Sequence, residues 1–187
     1  MKRYPFTLLV ILISLLFSGC FITNSPGFYS GYKKLTEEQK STITFTEDEQ
    51  LNIDDTTKIY AITGTQLLEM LKKKDSTVVY LFSPNCSSKN CISIQYANKL
   101  CEAKNYKLIV IIEYYNFEVF AAQHIKSFNA YAINHPHYKT DYVDKYVRLF
   151  KADLLGDNKL SKEKAYCGFL IFKNNKLANA VCSLQDL

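Results

Sequence analysis

The chain has 187 residues, 48% hydrophobic and 22% charged, with a formal net charge of +5. That length is enough for one domain with a sizeable core. The positive excess is mild and the lysines are interspersed with acids, which excludes a nucleic-acid reader.

The chain opens on Met1-Lys2-Arg3, continues as an apolar run from Phe6 to Phe17, and reaches Ser18-Gly19-Cys20. A cationic start, a short apolar stretch and small residues at a break form the export-signal pattern. The run is shorter than the roughly 20 apolar residues a membrane-crossing helix needs. Leu16-Phe17-Ser18-Gly19-Cys20 resembles the bacterial lipobox, with Phe17 where that family most often has Leu. The resemblance implies a signal peptide over 1–19, diacylglycerol on the Cys20 thiol, and a body held on a membrane in the cell envelope, facing an extracytoplasmic space. The alternative is an ordinary cleaved signal with a structural Cys20. Paired acyl chains make such anchoring stable. Cleavage before Cys20 leaves 168 residues (187 − 19) and a charge of +3, because Lys2 and Arg3 depart and no acid does.

Residues 21–35 are rich in Ser, Asn, Gly, Pro and Tyr without a sustained period, and read as a tether. Thr36-Glu37-Glu38-Gln39 fits a capping box for a short helix. The polar stretch 46–58 reads as a loop. The expected division is therefore 20–57 as tether and extension, and 58–187 as the folded domain.

From Lys58 onward, apolar runs alternate with amphipathic ones. Ile59–Ile62 reads as a strand, and Thr65 can cap a helix bearing Leu67, Leu68 and Leu71, with Lys72-Lys73-Lys74 at its negative end. Thr77–Phe82 and Leu108–Ile112 are continuous β-branched and aromatic runs of the kind buried on both sheet faces. Between them a helix is expected from about Ser88 to Ala103. Asn116 can cap a helix carrying Phe117, Phe120, Ala121, Ile125 and Phe128. After His135-Pro136-His137, Thr140 can cap another carrying Val143, Val147, Phe150 and Leu154, stopping before Gly156. Gly168–Phe172 and Leu177–Cys182 flank Asn174-Asn175 as a hairpin.

Alternating units of this kind build an α/β three-layer sandwich with a mostly parallel central sheet, a C-terminal antiparallel hairpin and an inserted helix near 140–155. The order, with cysteines where the second strand meets its helix and the closing Phe-Leu-Ile-Phe-Lys-Asn-Asn-Lys phrase, resembles the thioredoxin-like superfamily over residues 58–183. That resemblance implies thiol–disulfide exchange at Cys86 and Cys91 on a protein thiol or disulfide substrate, with no cofactor. A thiol at a helix N-terminus has a stabilised thiolate, and Lys89 would add to that field. Cys86 is then the nucleophile and Cys91 the resolving thiol.

Two features depart from the superfamily. Its reactive pair is spaced C-x-x-C, whereas this chain has C-x-x-x-x-C. Five residues of regular helix rise about 7.5 Å, beyond the roughly 7 Å that a bridge tolerates, so closure requires that the first turn not be helical. The superfamily's proline before the fourth strand would fall near Cys167, and none is there.

Other readings stay open. One is a non-catalytic thioredoxin-like binding module with structural disulfides. Another is a peroxidase, because bacterioferritin-comigratory peroxiredoxins also carry C-x-x-x-x-C; here Val79 replaces their Pro, Ser83 stands for their Thr, and Arg148 is the one arginine beyond the signal. Cys167 and Cys182 face each other if the hairpin centres on Asn174-Asn175, and form a candidate structural staple. In a two-residue hairpin that pair falls at a hydrogen-bonded site, about 5.5 Å between Cα atoms, which suits a bridge less well. Cys101 reads as a core thiol. His124, His135 and His137 read as locally satisfied rather than as metal ligands, so no metal is expected. Tyr138, Tyr142 and Tyr146 form a stripe expected to pack on the domain.

Overall fold

The computed structural model describes residues 27–46, 55, 57–88, 91–156, 161 and 164–186. The expected signal peptide, Cys20, the first tether residues 21–26 and Lys89 lie outside the described residues.

Among the described residues, seven strands make one sheet: β1 (Ile43–Phe45), β2 (Ile59–Ile62), β3 (Ser76–Phe82), β4 (Lys107–Ile112), β5 (Ala130–Ile133), β6 (Phe169–Lys173) and β7 (Lys176–Val181). Their spatial order is β1-β2-β5-β4-β3-β6-β7. The first five are mutually parallel; β6 runs antiparallel to β3, and β7 antiparallel to β6. Among the described residues, five α-helices accompany them: α1 (Glu37–Ser41), α2 (Gly64–Leu71), α3 (Ile94–Ala103), α4 (Phe117–Ala122) and α5 (Val143–Leu155).

Side chains alternate across a strand with period two, and the two hydrophobic clusters follow that rule. Val78, Tyr80 and Phe82 of β3 and Leu108, Val110 and Ile112 of β4 pack on one face with Ile94, Ala97 and Cys101 of α3 and Phe120 of α4. Val79, Leu81, Ile109 and Ile111 pack on the other with Leu67 and Leu71 of α2 and Tyr146, Phe150 and Leu154 of α5. The molecule is thus an α/β three-layer arrangement with a mostly parallel sheet and a closing antiparallel hairpin. The runs TVVYLF and LIVII are buried because both faces are covered.

Several local signals act as expected. Thr36 and Gln39 form a capping box on α1, and the Asn116 side chain accepts the Val119 N–H at the start of α4. Asn174 and Asn175 both adopt positive φ, 48° and 64°, in the two-residue turn between β6 and β7, which is the backbone twist that a tight hairpin requires.

Other boundaries differ from expectation. Thr63, not Thr65, caps α2, because Gln66 completes the reciprocal pair of capping bonds. Tyr142 occupies the cap of α5 without a side-chain bond, while the Thr140 hydroxyl accepts the Tyr142 N–H. The expected helix from Asn116 through Phe128 stops at Ala122; His124 turns left-handed (φ 49°), and the chain makes one 3-10 turn over Ile125–Ser127 before β5. A bulge between Ile171 and Phe172 shifts the β6–β7 register away from the uniform pairing.

The folded body also reaches back well before residue 58. β1 pairs with β2, and residues 27–35, expected as tether, lie across the carboxyl ends of the parallel strands. Ser30 is fully buried; its N–H donates to the Asp141 carbonyl (2.9 Å) and its own carbonyl accepts the Tyr115 N–H (2.7 Å). Gly31 permits this crossing. Its φ is 78°, and a Cβ there would lie 2.6 Å from the Tyr115 carbonyl oxygen.

Candidate functional site

In open α/β sheets, functional groups gather outside the carboxyl ends of the strands. Here β3 ends at Phe82, and the loop carrying Cys86 and Cys91 leaves that edge before α3 begins at Ile94. Cys86 and Cys91 are joined by a disulfide, with Cα atoms 5.9 Å apart. The expected obstacle to closure is absent, because Ser93 caps α3 and both cysteines precede the helix.

That same boundary alters the expected electrostatics. Cys86 lies eight residues before the first helical residue, and Cys91 three before it. The helix dipole acts mainly within the terminal turn, so it does not single out Cys86 for activation. Exposure distinguishes the pair instead: Cys86 is exposed, and Cys91 is half-buried.

The loop is tied at both ends. The Asn85 N–H donates to the Tyr114 hydroxyl (2.6 Å), and the Asn116 side-chain amide donates to Asn85 Oδ1 (3.0 Å). Beyond Cys91, the Tyr80 hydroxyl donates to the Ile92 carbonyl (2.9 Å). The Ile94 N–H donates to Gln123 Oε1 (3.0 Å), and Gln95 Nε2 to the Gln123 carbonyl (3.0 Å). Between these ties, the Cys86 and Cys91 N–H groups close short turns onto Ser83 and Ser88. The bridge therefore sits on a pinned but solvent-facing loop.

Beneath it, at the end of β4, burial pushes the Glu113 carboxyl above its ordinary range, opposed by Lys151 and by a hydrogen bond with Ser83. Burial likewise lowers Lys151, with Glu113 and Asp144 opposing; the Lys151 ammonium donates to the Ala165 carbonyl (2.9 Å). Desolvation outweighs attraction for both groups. Tyr146 donates its hydroxyl to the Glu113 carbonyl. Sequence reasoning singled out none of Tyr80, Glu113, Tyr114 or Lys151 for this site. One signal was present: a carboxylate directly abutting the buried run LIVII at the carboxyl end of a parallel strand.

Cys167 and Cys182 form a second disulfide, with Cα atoms 4.3 Å apart. They lie just outside the paired strands, which run from Phe169 and to Val181. The bulge moves them off the uniform hydrogen-bonded pairing, which suits a bridge less well. Gly168 carries the chain back to β3, its carbonyl accepting the Leu81 N–H (2.8 Å). Both bridges thus leave the sheet by one edge. Cys101 is free and fully buried, and burial pushes its thiol up to about 11.

The remaining candidates do not converge on the dithiol. Arg148 lies on the exposed side of α5, the helix that packs on the sheet face opposite α3. His135 is buried among the rings of Tyr32, Phe45, Tyr115 and Tyr146. Among the described residues, no group of three or more His, Cys, Asp or Glu is placed to hold a metal ion, and no helix is long and apolar enough to cross a membrane. Tyr138 and Tyr146 pack into the body, Tyr138 bonding Asp153 and the Gly64 N–H, whereas Tyr142 faces outward. No family model, curated protein or solved structure matches the chain.

Proposed function

We propose that this chain is a lipid-anchored, thioredoxin-like protein of the bacterial envelope that performs thiol–disulfide exchange through Cys86 and Cys91. The observation that carries the reading is the bridge itself: solvent-facing, on a pinned loop, at the carboxyl edge of a parallel sheet. The unit β3–dithiol loop–α3–β4 and the antiparallel hairpin laid beside β3 support the thioredoxin-like assignment. The lipobox at Leu16–Cys20 supports export and anchoring, and an oxidising compartment is where such bridges persist.

In the reduced form, the Cys86 thiolate attacks a substrate disulfide and one substrate thiolate leaves. Cys91 then attacks the Cys86 sulfur, releasing the second substrate thiol and closing the Cys86–Cys91 bridge. Two electrons pass to the substrate, and the two sulfur protons leave the protein. Exposure favours Cys86 as the attacked and attacking sulfur.

The test is reduction of insulin by the purified chain with dithiothreitol as the electron donor, with Cys86→Ser as control and the rate with dithiothreitol alone subtracted. Wild type turns over and the variant does not; equal rates in both overturn the reading. A second reading, a binding module in which both bridges are structural, is favoured by the distance of Cys86 from the helix terminus. The reduction potential of Cys86–Cys91 separates the two, because structural bridges lie below about −300 mV and exchanging ones above.

A further inference from the structure

We propose that Phe28, Tyr29 and Tyr142 form a membrane-resting face, whose rings sit in the headgroup layer of the bilayer that holds the Cys20 lipid. This inference rests on the anchored reading above. The three side chains are 41%, 42% and 37% exposed and adjoin one another, with Phe28 edge-on to Tyr29 at 4.9 Å and to Tyr142 at 4.6 Å between ring centroids. The other large exposed hydrophobic residues, Tyr96 and Tyr166, have no such ring neighbours among the described residues. The backbone beneath the patch is fixed. Tyr29 and Tyr142 form an antiparallel bridge, the Phe28 carbonyl accepts the Val143 N–H (3.1 Å), and the buried Ser30 follows. A fixed backbone therefore presents three rings to solvent, of which Tyr suits the headgroup level and Phe the apolar layer beneath it.

The position of the patch identifies its occupant. Phe28 is eight residues after Cys20, so the chain between them spans at most about 28 Å. A domain of this size is about 40 Å across, so a lipid on Cys20 holds this side of the body toward the bilayer. Charge agrees with an anionic lipid surface. Within five residues of the patch along the chain, Lys33, Lys34, Lys139 and Lys145 are exposed against Asp141 and Asp144; with Lys33 and Asp141 paired at 3.6 Å, three lysines face one acid.

The chain contains no tryptophan, so Tyr29→Trp in the full-length protein gives a single fluorescent reporter. Tyr142→Trp serves if the first variant does not fold. The probe is the protein reconstituted in phosphatidylglycerol–phosphatidylcholine vesicles, with and without brominated acyl chains. A ring seated at the headgroup–acyl boundary loses about half or more of its emission to the brominated chains. A reporter at Lys73→Trp, which precedes β3 at the opposite sheet edge, keeps its emission. Equal emission of the Tyr29→Trp reporter in both vesicles, with an intact mass showing lipid on Cys20, overturns the resting face and leaves the anchor standing. An intact mass without lipid on Cys20 overturns the anchored reading and this inference with it.

Discussion

The hydroxyl of Tyr114, two residues past the end of β4, accepts the backbone N–H of Asn85, the residue that precedes Cys86 (2.6 Å). A residue on one strand's exit thus holds the loop that leaves its neighbour. Losing one such bond costs about 1 kcal/mol, or about fivefold in the local opening equilibrium. Tyr114→Phe is expected to speed reduction of Cys86–Cys91 by dithiothreitol by about that factor and to raise amide exchange at Asn85. An unchanged reduction rate would show that the loop is held elsewhere.

The two bridges differ in the chain length they close, five residues of separation against fifteen. In the chain-entropy account, the longer loop contributes about 3 kcal/mol and the shorter about 2. Cys167→Ser with Cys182→Ser is therefore expected to lower the urea midpoint more than Cys86→Ser with Cys91→Ser does. The reverse order in denaturation at one pH would contradict this.

Gly64, the first residue of α2, lies against the backbone of α5. A Cβ there would stand 2.2 Å from the Phe150 carbonyl oxygen and 2.7 Å from the Leu154 nitrogen. Backbone cannot swing aside as a side chain does, so the helices must separate. Gly64→Ala is expected to destabilise by about 1–3 kcal/mol in chemical denaturation, in the range found for overpacked cores, although Ala is otherwise the better helix former.

Burial lowers the affinity of His135 for a proton, with Asp141 opposing and Lys33 adding to the effect. Its Nε2 lies 3.7 Å from Asp141 Oδ1, and its other neighbours are the rings of Tyr32, Phe45, Tyr115 and Tyr146. With the folded value depressed, the unfolded chain takes up the proton first as pH falls. The contribution to stability is complete above the ordinary imidazole value of 6.5 and declines from there toward the depressed folded value. Urea midpoints of wild type should drop between neutral and mildly acid pH, and His135→Phe should show a shallower drop. Parallel curves for the two proteins would remove His135 as the cause.

Cys101, fully buried on α3 and with its thiol pushed up to about 11, should resist alkylation in the native protein at pH values well below that. Iodoacetamide followed by intact mass should find no adduct on the folded chain at this position and one after unfolding without reductant. Rapid native labelling of Cys101 would be inconsistent with its place in the core.

Much of the framework was legible before any coordinates. β3 and β4 announce themselves as unbroken apolar runs, and Asn174-Asn175 and Asn116 carry the backbone chemistry of a turn and a cap in their side chains. The misjudged parts have identifiable causes. Ser87, Ser88 and Ser93 can all cap a helix, and local preference does not choose among them; Gln123, from the α4 side, bonds Ile94 and Gln95 and sets the start at Ile94. β1 and β5 are three and four residues long, too short for a period to emerge. β5 also follows a left-handed His124 that no helical pattern foretells. The segment 27–35 has the composition of a tether but is held by backbone bonds, which composition does not record. Of the site, the cysteines stood out in the sequence, while the tyrosines that pin them did not, because a Tyr in an apolar run looks like any other core residue.

The slot that β5 fills between β2 and β4 sets a timetable for assembly. β2 meets its second partner, β5, only at Ala132 and Ile133, some seventy residues further along the chain, whereas β3 and β4 join across a single helix. A polypeptide delivered amino end first can join β1 to β2 early, but the other edge of β2 stays open until Ile133 arrives. During that interval an apolar two-strand ribbon shows a bare edge, the period in which a holding chaperone has the most to protect.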